Sequence, residues 1–179
     1  MIGRALRRSL VIALVGLVVL LAGKSMVQAC GTVVKVTYIE DSPDVFVIEY
    51  PDGQDDLLLS VKIDLATSAA GAYVDTLYGP AKSNLGEAVE VGEIRGFAEG
   101  DQSGTILFKK FAAGHRLNML VDLDDRGLSG EPDPDHLTGK EMEGGLVTAR
   151  FRAPDGEAEE MSGAFDAEGV ARLGSRACA

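Results

Sequence analysis

Apolar residues recur at every second position of this chain, in runs too short for a helix and punctuated by Gly, Pro and Asp. In TVVKVTYI (32–39), Val34, Val36 and Tyr38 fall on one face, and Val33, Lys35, Thr37 and Ile39 on the other. LLLSVKIDLA (57–66) sets Val61, Ile63 and Leu65 against Lys62 and Asp64. VFVIEY (45–50), TILFKKF (105–111), RLNMLVDL (116–123), LVTARF (146–151) and shorter pieces at GAF (163–165) and VARL (170–173) extend the series. A side-chain period of two is that of a strand with one face buried. YPDG (50–53) and APDG (153–156) are turns in which Pro presets the first corner and Gly accepts a left-handed backbone. The nearest approach to a helical stripe is AGAYVDTLY (70–78). About eight short strands with frequent turns predict an all-β fold, an antiparallel β-sandwich of Ig-like or jelly-roll-like type.

The N-terminus stands apart from this pattern. MIGRALRR is basic, SLVIALVGLVVLLAG is apolar, and Val27-Gln28-Ala29 offers a small-residue cleavage site before Cys30. Residues 1–29 therefore read as a secretory signal, by the general or the twin-arginine route. An uncleaved anchor is the alternative, although the apolar run falls short of the ~20 residues of a spanning helix. Residues 30–179 then form a single domain, periplasmic or extracellular. Cys30 and Cys178 are the two cysteines of the chain, and two cysteines in an oxidising compartment pair. Lipidation of Cys30 is the competing outcome. The protein meets a membrane only if the N-terminal segment is retained or Cys30 is lipidated.

Charge narrows the partners. The chain carries a net charge of −11, and Arg4, Arg7, Arg8 and Lys24 lie in the signal, which contains no acid. The exported part is thus more acidic than the whole. Such a surface repels phosphate backbones, which excludes nucleic acid.

The acid is concentrated in VDLDDRGLSGEPDPD (121–135). Leu117, Met119, Val121 and Leu123 share one side of a strand there, and Asn118, Asp122 and Asp124 the other. Asp125 follows, and Glu131, Asp133 and Asp135 lie beyond Gly127 and Gly130. Calcium takes six to eight hard oxygens from a flexible loop, so these six acids are candidate calcium ligands. The fit to an EF-hand is poor: counted from Asp122, the fifth position is Arg126 and the twelfth Asp133. A solvated acidic turn, balanced by Arg126, is the other reading. His115 and His136 are candidate metal ligands or bases, and His136 borders the acidic loop. The chain contains no Gly-x-Ser-x-Gly elbow and no Trp.

SPDVFVIEY (42–50), VKIDLATSAAGAYVDTLYG (61–79), VDLDD (121–125), GGLVTARF (144–151) and the penultimate cysteine together resemble bacterial exported proteins of the aggregation-factor-core-like type, named after an extracellular sponge adhesion component. The resemblance implies an all-β extracellular module linked to calcium-dependent adhesion. The expectation is therefore a non-catalytic binding or adhesion module for a protein or glycan partner, with calcium as a structural ion at 122–135. A periplasmic hydrolase using paired carboxylates is the alternative.

Overall fold

A computed structural model describes residues 32–53, 56–81, 88–125, 137–153 and 155–174. They form two five-stranded antiparallel sheets packed face to face, an all-β sandwich. The strands are β1 (Thr32–Ile39), β2 (Asp44–Tyr50), β3 (Leu57–Asp64), β4 (Tyr73–Pro80), β5 (Val89–Gly96), β6 (Ser103–Phe111), β7 (His115–Asp124), β8 (Leu146–Arg152), β9 (Ala158–Ala164) and β10 (Val170–Gly174). The first sheet has the order β10-β1-β2-β7-β4 and the second β5-β6-β3-β8-β9. One short helix, α1 (Gly139–Met142), precedes β8. The proposed disulfide cysteines, Cys30 and Cys178, lie outside the described residues, as do Arg126, Glu131, Asp133, Asp135 and His136.

The alternation seen in the sequence is the alternation of burial. Val34, Val36 and Tyr38 of β1 face inward, as do Leu117, Met119, Val121 and Leu123 of β7 and Val61 and Ile63 of β3. Aromatic rings fill the space between the sheets. Tyr50 meets Phe111 edge-on at 6.0 Å and Phe151 at 6.2 Å, while Phe46 lies between Tyr38 and Phe165. Each such side chain contributes about 1.5–3 kcal/mol through burial.

Among the described residues there are ten strands where the sequence suggests about eight, and the two additions are β4 and β5. The stretch that most resembles a helix, 70–78, is mostly β4. Both strands are sheet edges, and each carries two register shifts against its neighbour. Those on β4 fall at Val74/Thr76 and Leu77/Gly79, and those on β5 at Glu90/Val91 and Val91/Glu93. An extra residue at a bulge reverses which side chains point inward, so neither strand keeps a period of two.

The β5–β6 turn has an unusual device. Phe97 takes a left-handed backbone, φ 60°, which costs an L-residue about 1–2 kcal/mol. Its ring is nevertheless 98% buried, folded over Gly104 of β6 so closely that a Cβ there would stand 2.0 Å from Phe97 Cδ2. Burial of the ring offsets the backbone strain. At the opposite edge the chain passes from the second sheet to the first between β9 and β10, joined at Phe165 and Ala171. Gly163 permits this approach, since a Cβ on it would stand 2.7 Å from the Arg172 carbonyl oxygen.

Candidate functional site

Strand β7 positions the candidate residues. Its outward side chains run Arg116, Asn118, Leu120, Asp122 and Asp124, from a cation through neutral residues to two acids. The strand register extends each into a row. Lys35, Glu49 and Arg116 stand side by side across β1, β2 and β7, followed by Thr37, Val47 and Asn118, then Ile39, Val45 and Leu120. On the other flank β4 sets Thr76 opposite Asp122 and Tyr73 opposite Asp124, with Asp75 in the bulge between them.

Asp122 and Asp124 do share the outer face, as their spacing predicts. Asp75 joins them through β4, a neighbour that sequence spacing could not reveal. Partial burial, reinforced by the negative charges of Asp75 and Asp122, holds the Asp124 carboxyl above the usual carboxylate range. Asp125 is placed differently: it continues the inward parity of Val121 and Leu123 and is only 2% exposed. His115 lies at the far end of β7, about 30 Å from Asp124 at 3.3 Å per residue. It is therefore remote from the carboxylates. Among the described residues no three His, Cys, Asp or Glu side chains are grouped closely enough to hold a metal ion.

A buried carboxylate that the sequence does not single out fastens the acidic end of β7. Asp44, 5% exposed, accepts from the Leu123 backbone N–H at 3.1 Å through Oδ2. Its Oδ1 lies 2.9 Å from the Tyr38 hydroxyl, which is also 2.8 Å from the Leu137 carbonyl oxygen. Asp44 and Tyr38 thus tie together Leu123 and Leu137, the residues on either side of the acidic segment. Burial raises the Asp44 carboxyl, against the lowering effect of hydrogen bonds from Tyr38, Leu123 and Asp41. The same burial, with the Asp44 charge beside it, drives the Tyr38 phenol far above its ordinary range. A phenol has one proton to donate and here faces two acceptors. Protonated Asp44 can donate to Tyr38, leaving Tyr38 free to donate to Leu137.

The raised Asp124 carboxyl has a measurable consequence. A carboxyl raised in the folded state contributes stability that is present below its unfolded pKa and lost as pH rises through the folded value. Asp124→Asn removes that loss. The unfolding free energy of the variant minus that of the wild type should therefore grow as pH rises upward from about 4. Denaturant titrations of both proteins at several pH values measure it, and a constant or shrinking difference would contradict a carboxyl raised by burial and by its acidic neighbours.

Elsewhere the surface carries ordinary ion pairs, Lys62–Asp64, Lys109–Glu90 and Arg172–Asp166 among them, at 2.7, 2.8 and 2.7 Å. Such partly exposed pairs contribute little to stability. Comparison with protein-family models, with curated proteins and with solved structures yields no match.

Proposed function

We propose that the chain is an exported, non-catalytic binding module of adhesion type, in which the acidic end of β7 holds a calcium ion and the sandwich presents its surface to a protein or glycan partner. The observation that supports this reading is the acidic end of β7, where Asp75 of β4 joins Asp122 and Asp124 on the outer face. Partial burial there, reinforced by those charges, holds the Asp124 carboxyl above its usual range. Among the described residues these carboxylates do not by themselves make a metal shell. A divalent cation relieves that repulsion with hard oxygen ligands of the type calcium prefers. Glu131, Asp133 and Asp135 are the sequence's further candidates for completing the shell. The aggregation-factor-core-like resemblance points to the same class of module.

Thermal melts in calcium and in sodium at equal ionic strength test the proposal. An ion that binds only the folded state stabilises it by about 2.7 kcal/mol at a hundredfold excess over Kd, which raises Tm by roughly 5–10 °C for a domain of this size. Asp124→Asn should reduce that rise while leaving the fold intact, because the inward face of β7 belongs to Met119, Val121 and Leu123. Identical curves in the two salts, for the wild type, would sink the calcium assignment.

A further inference from the structure

The opposite end of the same sheet face holds a cleft of about 330 Å³, walled by Lys35, Glu49, Tyr50, Asp52, His115 and Arg116. That volume lies at the small end of ligand sites. Its charges are unevenly matched. Lys35 Nζ reaches Glu49 Oε2 at 2.7 Å, so those two charges satisfy each other. Arg116 stands directly across from Glu49 in the register, but among the described residues it forms no ion pair, and neither does Asp52. The cleft therefore presents one unneutralised cation and one unneutralised carboxylate, each on an exposed side chain. They come from different elements, Arg116 from the start of β7 and Asp52 from the turn after β2.

We propose that this cleft binds a small zwitterion, a short peptide with free ends, whose carboxylate meets Arg116 and whose ammonium meets Asp52. Three features select that class. A guanidinium offers paired N–H donors that match a carboxylate, and Asp52 supplies the complementary acceptor for an ammonium. Pro51, half-buried at the rim, adds an apolar surface next to Asp52. The net charge of −11 repels a simple anion approaching from bulk, whereas a molecule with no net charge escapes that field and responds to the local arrangement. His115 borders the cleft on the Arg116 side and adds a donor there. The site is separate from the acidic end of β7, so its success or failure is independent of the calcium reading.

Calorimetric titration of the intact chain, with EDTA present to remove calcium, tests the proposal using alanylalanine, its N-acetyl derivative and its C-terminal amide. Alanylalanine should bind saturably, and blocking either end should weaken binding by about tenfold or more. Arg116→Gln should abolish the preference for the free carboxylate but keep that for the free amine. Asp52→Asn should do the reverse. Both side chains are exposed, so melting temperatures of the variants should match the wild type. Absence of saturable binding up to about 10 mM, equal binding of the blocked peptides, or preferences that survive both substitutions would overturn the assignment. The comparison of the three peptides on the wild type decides the matter even if a variant fails to fold.

Discussion

Replacing Gly104 by alanine is expected to destabilise the fold by about 1–3 kcal/mol, the usual cost of overpacking a filled interior. The added methyl carbon would coincide with the Phe97 ring, whose Cδ2, Cε2 and Cγ lie 2.0, 2.2 and 2.4 Å from the position it must take. The ring cannot simply step aside, because Phe97 is buried and its backbone already sits in the left-handed region. Displacing it sacrifices the burial that offsets the strain. The companion variant Phe97→Gly should remove the clash and the strain together, at the cost of the lost ring. Gly104→Ala should accordingly be much less damaging in the Phe97→Gly background than in the wild type. Urea unfolding of the four proteins of this cycle measures the coupling. Additive effects would show that the ring and the glycine do not constrain each other.

A second large effect is expected at Asp44. Asp44→Ala leaves the Leu123 N–H without its acceptor and the Tyr38 hydroxyl without one of its two partners. Tyr38 keeps Leu137, so the Leu123 N–H is the group left orphaned, and a loss of about 1–3 kcal/mol should appear in denaturant unfolding. Asp44→Asn should recover most of it. An amide can turn its oxygen to the Leu123 N–H and its nitrogen to the Tyr38 oxygen, leaving the phenol to donate to Leu137, the same pattern that a protonated Asp44 makes. The asparagine variant should also lose the Asp44 share of the decline in stability with rising pH, since its side chain does not titrate. If alanine and asparagine destabilise equally, the hydrogen-bonding account of Asp44 fails and its role reduces to shape.

The strands that the sequence makes plain are those whose inward face stays constant over most of their length. In β1 from Val34 and in β7 from Leu117 every second residue is apolar because every second residue meets the other sheet. Strand β3 does the same over Val61 and Ile63, beyond its own register shift at Leu58/Ser60. In β4 and β5 the bulges exchange the two faces within eight residues, so Tyr73, Val74 and Leu77 fall at a spacing that imitates a helix, and Val91 and Ile94 at one that imitates nothing. The candidate sites divide in the same way. Asp122 and Asp124 are two apart on one strand, and parity alone places them together. Asp75 reaches them only through the pairing of β4 with β7, a long-range contact with no local signature. Asp44 sits in DSPDV, which reads as a polar turn, and only the register of β2 against β7 brings it under Leu123. Arg116 and Asp52 are likewise distant in sequence, joined by the geometry of a strand start and a turn.

The same bulges govern how the molecule behaves among many copies of itself. A sheet edge invites another strand when its peptide groups point outward in even sequence. The two shifts on β4, together with Gly79 and Pro80 at its end, break that sequence within a few residues. Those on β5 do the same, beside the exposed Glu90, Glu93 and Arg95. Strand β9 runs in unbroken register, but it carries Glu159 and Glu160, which would face like charges in an identical neighbour. Strand β10 is only five residues long. Crowded together, such sandwiches resist fusing edge to edge into fibres, which leaves their faces as the surfaces open to contact.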